Sequence, residues 1–466
     1  MRRYFRVSGR AATMWPLTHL SLDPSPRRTP KLGFVLALMV VLVALAGGLA
    51  ASLMPGTLVG RDASWIAAAA VFAASYFALA IGRIPGLTID RAGVALVGAC
   101  LMVACGALRL EDAYKAVDLD TLTLLLGMMI VLANLQLSGV FALATVWVIR
   151  RAHRPITLLA AVAGVAGVCS AFLVNDAICL VLSPLVLELT RSLRRNPVPY
   201  LLAVAMASNI GSAATITGNP QNMMIGSLSK IPYAQFTASL APVALIGLVL
   251  TVALIALFHR REFAGGRRLA TDIPPPRVHR ALALRALVAT AVLVVLFFAG
   301  QPPAKAAIVI GGLLLLTRRV KSERVYAEVD WSLLLMFAGL FIVVSGAEHA
   351  LLTDDMVAAV GRLRLDRVPV LSAVTAILSN LVSNVPAVLV LKPFIEPLAD
   401  HRTAWLTVAM ASTLAGNFTV LGSIANLIVV RRAAASGIEI GYWDYFRIGA
   451  PLTLLTILLG TLWLWL

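Results

Sequence analysis

The sequence predicts an all-α polytopic membrane protein, with about eleven transmembrane helices plus two re-entrant hairpins in two inverted-topology repeats. Three observations carry that prediction. Of 466 residues, 60% are hydrophobic and 13% charged, with a mean hydropathy of +0.90. A soluble chain carries about a quarter charged residues. The apolar residues come in runs of about 20, the length that spans a bilayer. Two stretches, 204–226 and 408–430, also align with each other without a gap.

Taken in order, residues 1–31 form a basic cytoplasmic tail. The first apolar run begins too far from Met1-Arg2-Arg3 for a cleaved signal, and Met14 is an alternative start. Spans at 32–54, 64–83 and 91–108 make a group of N-terminal scaffold helices over 32–116. The first repeat, 117–258, holds spans at 119–147, 199–229 and 236–258. A cytoplasmic linker, 259–284, leads to the second repeat, 285–466, with spans at 285–300, 303–317, 330–350, 403–430 and 446–466. Two apolar stretches, 155–190 and 368–398, are about two membrane arms long and polar in the middle, so each reads as a hairpin.

Charge tests the hairpins. With the N-terminus cytoplasmic and the C-terminus periplasmic, the inner segments hold 29 of the 39 Lys and Arg residues. Without the hairpins, one of the basic loops 150–154 and 191–195 falls outside, against the positive-inside rule. The net charge of +17 therefore belongs to inner loops of a bacterial-type inner (plasma) membrane protein and not to a nucleic-acid surface. The four cysteines lie inside apolar runs without CxxC spacing and read as core residues.

The repeat is specific. VAMASNIGSAATITGNPQNMMIG over 204–226 and VAMASTLAGNFTVLGSIANLIVV over 408–430 are identical at eight of 23 positions, among them Thr215/Thr419, Gly218/Gly422 and Asn222/Asn426. Val117-Asp118 matches Val329-Asp330, and Leu173-Val174-Asn175-Asp176 matches Leu381-Val382-Ser383-Asn384. In the orientation above the first span of each half runs in opposite senses, so the repeats are inverted. Inverted repeats with interrupted helices mark secondary transporters and place the site near the bilayer midplane.

Each break carries the chemistry that restarts a helix. Asn219-Pro220 is an N-cap followed by proline at the first helical position. Asn384 with Pro386 places proline in the first turn, and Asn175-Asp176 and Gly422-Ser423 also read as caps. Irregular backbone at membrane depth must face protein or a watery cavity. Helix N-termini around one cavity offer N–H groups to an anion, and unwound carbonyls with Ser, Thr and Asn oxygens suit a cation. Asp176 is the acid at a tip: it coordinates Na⁺, carries a proton or caps the second hairpin arm. Lys392 is expected to snorkel to the outer surface. Asp118 and Asp330 are expected as first-turn helix charges.

NDAICLVLSPL and SNVPAVLVLKP, with SNIGSAATITGNPQN and FTVLGSIAN, resemble the ion-transporter superfamily over about 110–466. That group holds divalent-anion/sodium symporters, citrate-type transporters, arsenite permeases and sodium/proton antiporters. Tip threonines of the dicarboxylate symporters are absent at Ala177 and Val385, and the Asn175-Asp176 tip is similar to arsenite permeases and related anion permeases. The resemblance implies cation sites at Asn175, Asp176 and Gly218 and at Ser383, Asn384 and Gly422. It implies substrate contacts from the tips with Thr215, Asn219, Thr419 and Ser423, and a homodimer.

The expected function is an ion-coupled permease for a small inorganic or carboxylate anion such as citrate, a dicarboxylate or an oxyanion. Na⁺ or H⁺ is the coupling ion, and no cofactor is expected. The alternatives are a sodium/proton antiporter of the same fold and, from another class, a channel or non-transporting receptor. No HExxH, GxSxG or membrane-embedded Asp pair points to an enzyme.

Overall fold

The computed structural model describes residues 32–54, 57–82, 87–143, 154–264, 278–316, 320–353 and 360–466. These residues form helices and no strand. The basic tail expected at 1–31 lies outside them. Eight helices among the described residues are long and apolar enough to cross a membrane.

The chain opens with α1 (Leu32–Leu53), α2 (Leu58–Ile81), α3 (Arg91–Ala104), the short α4 (Leu110–Ala116) and α5 (Leu119–Ser138). Next come α6 (Pro155–Phe172) and α7 (Asn175–Ser192), meeting at Leu173–Val174. α8 (Pro197–Ser212) and α9 (Pro220–Ser229) are two pieces of one broken helix, joined through a 3-10 turn at Ile216–Gly218, and α10 (Tyr233–Phe258) follows. The second half gives α11 (Arg280–Phe298), α12 (Pro303–Leu315), α13 (Ser322–Ala327) and α14 (Trp331–Leu351). The tip pair α15 (Val368–Val382) and α16 (Asn384–Ile395) comes next. The broken pair α17 (His401–Ala415) and α18 (Ile424–Ala435) follows, and α19 (Tyr442–Trp465) ends the chain. Helix α11 begins at Arg280, inside the stretch expected as linker.

Length explains the second tip. At 1.5 Å per residue, α15 and α16 measure about 23 and 18 Å, short of a hydrocarbon core of about 30 Å. Neither crosses alone.

Packing is matched between the halves. α6 lies on α8 as α15 lies on α17, and α8 on α10 as α17 on α19. Other pairs cross between halves: α3 packs on α14 and α5 on α12, while α2 packs on α14 and α5 on α11. The helices before residue 117, expected as a separate scaffold group, thus take part in the same pairing as α11 and α12. The crossings show why small residues sit there. A Cβ on Gly127 of α5 would stand 2.5 Å from the Ala307 carbonyl carbon, and one on Gly339 of α14 would stand 2.6 Å from that of Ala95. Both are backbone-to-backbone approaches, the means by which membrane helices associate where lipid removes the hydrophobic drive.

The two broken helices form the centre. Residues 199–212 of α8 and 404–415 of α17 are buried throughout. The outer helices instead show apolar side chains such as Leu245, Val249, Leu454 and Leu458 on their outward faces. Asp118 and Asp330 are N-caps: Asp118 accepts from the Asp120 and Thr121 N–H groups, and Asp330 from Leu333.

Candidate functional site

All four breaks converge on one cavity of about 40 Å³. It is lined by first-turn residues of four half-helices: Asn175 and Asp176 of α7, Pro220 and Gln221 of α9, Asn384 and Val385 of α16, and Ile424 of α18 with its N-cap Ser423. Ser383 lines it too, and so does Arg91 at the start of α3. A volume of this size holds two or three waters. The half-helices aim partial positive charge and free N–H groups inward.

The tips are built differently. Ser383 joins α15 to α16 with φ 80 and ψ 160, a conformation that L residues rarely adopt and that costs of order 1–3 kcal/mol. Ser379 Oγ donates to Asn384 Oδ1 at 2.6 Å, fixing that tip. At the first tip, Asn175 is buried and its Nδ2 donates to Asn209 Oδ1 at 3.0 Å. Asn175 Oδ1 is buried with no hydrogen-bond partner among the described residues. The Asp176 carboxyl faces the Ala425 N–H in the first turn of α18, a half-helix of the other half.

Asn209, on α8, ties the breaks together. Its Oδ1 also accepts from Ser423 Oγ at 3.1 Å, and its Nδ2 donates to Asn417 Oδ1 at 2.9 Å and Asn426 Oδ1 at 3.0 Å. The matched position in α17 is Thr413, whose Oγ1 accepts from Asn219 Nδ2 at 3.0 Å and Gln221 Nε2 at 3.3 Å. Each broken helix therefore braces the break of the other half. Within each break, a matched asparagine closes the unwound loop. Asn222 Nδ2 donates to the Ser212 and Thr215 carbonyls at 3.1 and 3.0 Å, and Asn426 Nδ2 to those of Gly416 and Thr419 at 2.7 and 3.1 Å.

Of the residues expected at the site, Asn175, Asp176, Ser383, Asn384 and Ser423 line the cavity. Thr215, Asn219, Thr419, Gly218 and Gly422 do not. Thr215 Oγ1 donates to the Ala171 carbonyl, locking the break to α6. Asn219 Oδ1 caps the Asn222 N–H at 2.8 Å and is fully buried. The Thr419 carbonyl takes the Asn426 amide. A Cβ on Gly218 would lie 2.2 Å from the Ser212 carbonyl oxygen, so glycine is what lets the break fold back on its own helix. Lys392 does not snorkel freely: its Nζ lies 3.6 Å from Glu348 Oε1, with the two side chains 27% and 22% exposed.

Sequence reading missed Asn209, Thr413, Asn417, Gln221 and Arg91. The repeat alignment held a signal for the first two, since it pairs Asn209 with Thr413 directly before the breaks. Arg91 carried no local signal; it counted as one more basic residue of an inner loop.

A larger vestibule of about 510 Å³ adjoins the cavity and shares Arg91, Leu333, Met336 and Ile424 with it. At the other end of the bundle, where α5 begins and α11 ends, a second vestibule of about 350 Å³ shares no lining residue with the cavity. No group of His, Cys, Asp and Glu among the described residues is arranged to hold a metal ion.

The model of the citrate transporter family matches residues 76–415. An uncharacterized transporter of Mycobacterium tuberculosis is 28% identical over 427 residues, covering 86% of this chain and 98% of its own. The silicon efflux transporter LSI3 of Oryza sativa subsp. japonica is 30% identical over 450 residues, covering 81% of this chain and 93% of its own. Among solved structures, the YdaH transporter of Alcanivorax borkumensis, described as having an unusual topology, superposes with a TM-score of 0.57 at 16% identity. That match covers 76% of this chain and 86% of the other.

Proposed function

The chain belongs to the citrate transporter family of membrane transporters, and on that premise we propose that it is an ion-coupled permease for a small oxyanion, driven by Na⁺ or H⁺. One observation carries the reading: the convergence of four half-helix N-termini, from both halves of the chain, on the cavity that Asp176 and Asn175 also line. N–H groups and dipoles there favour an anion. The Asp176 carboxyl and the unpartnered Asn175 Oδ1 are acceptors for a cation, or for a proton that Asp176 takes up. A cavity of about 40 Å³ fits a small oxyacid better than a tricarboxylate. The rice relative, named as a silicon efflux transporter, is consistent with that size class.

In this reading the α6–α7 and α15–α16 pairs are re-entrant hairpins in a bacterial-type inner membrane, with the N-terminus cytoplasmic and the C-terminus periplasmic, and the protein acts as a homodimer. The matched cross-half packing supports two inverted repeats. Purified protein in liposomes, given citrate, succinate, sulfate, silicate or arsenite under imposed Na⁺ or H⁺ gradients, tests it. Gradient-driven anion uptake that loses its cation dependence in Asp176→Asn is the expected result. Na⁺-dependent proton flux with no anion movement assigns the antiporter function instead.

A further inference from the structure

The tips carry no basic side chain, yet the fold supplies a cation from 85 residues up the chain. Arg91, at the first position of α3, lines both the central cavity and the large vestibule. Its guanidinium is half-buried and makes no hydrogen bond or ion pair within 4 Å among the described residues. It acts electrostatically on Asp176 and Arg431. Arg431 stands further out along the same vestibule wall.

The acids nearby have other work. Asp90 Oδ1 accepts from the Gly93 N–H at 2.8 Å, and Asp330 Oδ1 from Leu333 at 3.0 Å, so each caps the helix it precedes. Neither lies within ion-pairing distance of Arg91 or Arg431. Five N–H donors in a fixed fork, partly desolvated and uncommitted, match an oxyanion better than any other group on the wall.

We propose that Arg91 is a specificity-determining residue of the permease, which takes the substrate anion at the mouth of the cavity, the anion and the Asp176 carboxylate competing for its guanidinium. The inference rests on the permease reading above. While Asp176 is bare, its carboxylate draws on the Arg91 field and repels the anion. A cation or proton on Asp176 removes that charge and leaves Arg91 to the anion. Loading of one ion thus favours loading of the other through a shared guanidinium, a coupling that needs no movement of the backbone.

The charge logic gives a signature that a merely structural role would not. Arg91→Gln should raise the half-saturating concentration of the transported anion about tenfold or more, the weight of a hydrogen bond to a charged group. It should also lower the half-saturating concentration of the coupling cation, because a positive neighbour of Asp176 has gone. Arg91→Lys, which keeps the charge and loses the fork, should recover the cation value and part of the anion value. Arg432→Gln, a neutralisation beside Arg431 on α18 and outside both cavities, should change neither. Constants that both stay fixed or both rise in Arg91→Gln overturn the inference. A wild-type protein that moves no anion overturns the permease reading instead. In that case a second measurement decides on Arg91. The thiol of an Ile428→Cys variant, on the vestibule wall, is modified with anionic and cationic methanethiosulfonates. Arg91→Gln should cut the anionic-to-cationic rate ratio about fivefold; an unchanged ratio refutes the role.

Discussion

Replacing Asn209 by alanine removes the side chain on which both halves of the site lean. Asn209 is 2% exposed and makes four side-chain bonds, to Asn175, Ser423, Asn417 and Asn426. At roughly 0.6 kcal/mol each in membrane proteins, and up to about 1.5 in soluble ones, their loss costs about 2–6 kcal/mol. The upper part of that range applies because the Oδ1 atoms of Asn417 and Asn426, fully buried and away from the cavity, lose the donor that Asn209 supplies. The apparent melting temperature of the detergent-purified variant should fall by several degrees. Its transport should fall further than Thr413→Val, whose hydroxyl braces only the first break. Asn209→Ala with wild-type melting and the same transport as Thr413→Val would refute the reasoning, since the amide would then bear no load.

Gly127→Ala and Gly339→Ala should each cost about 1–3 kcal/mol in thermal stability, because the new methyl meets backbone at 2.5 and 2.6 Å. Gly312→Ala, where nothing lies within 4 Å, should gain up to about 1 kcal/mol; equal losses at all three would remove the crossing argument. Ser383→Gly relieves a φ of 80 and should raise stability by about 1 kcal/mol while lowering transport, both read on one preparation. Asp400→Ala removes the cap on the Thr403 N–H and should cost about 0.5–2 kcal/mol near neutral pH. The Thr403 N–H holds the Asp400 carboxyl below the usual carboxylate range. The wild-type advantage is therefore present above that range and disappears as the pH falls through the lowered value. Tyr233→Ala should open the smaller vestibule to the cavity. A thiol introduced by Gln221→Cys would then react with an impermeant reagent from that side, and continued protection would count against the seal.

What the sequence made legible was local. Asn219-Pro220 and Gly422-Ser423 name their own helix starts, because capping acts within one turn. The cap expected from Asn175-Asp176 is not made: Val174 holds the N-cap position there, and neither it nor Ser383 at the second tip makes a side-chain cap bond, the tip side chains turning to tertiary partners instead. The repeat at 204–226 and 408–430 located the two breaks that the structure brings together. What was illegible was lateral. Lys392 read as a snorkelling residue because its partner Glu348 is 44 positions away on another helix. Thr215, Asn219 and Thr419 read as ligands because a polar side chain beside a break has the same appearance whether it faces the cavity or pins the loop. Arg91 belongs to a stretch with no repeat signature at all, and only the packing of α3 on α14 carries it to the cavity.

The two vestibules complete the symmetry and also break it. One is walled by the end of α2, the start of α3, the start of α14 and α18 with the 3-10 turn Val420–Gly422 before it. The other is walled by the matched pieces: the end of α11, the start of α12, the start of α5 and the first 3-10 turn with α9. What differs is the plug. In the first half, buried Thr217 shares a 2.9 Å hydrogen bond with the Tyr233 hydroxyl, and Tyr233 stacks on Phe297 with ring centroids 5.0 Å apart. Leu421, the residue aligned with Thr217, is 72% exposed on the vestibule wall. A symmetric scaffold has no reason of its own to open towards one end. These few unmatched side chains supply that reason in this structure, where the Tyr233 contacts stand between the smaller vestibule and the first break while Leu421, at the matched position, leaves the larger one continuous with the cavity.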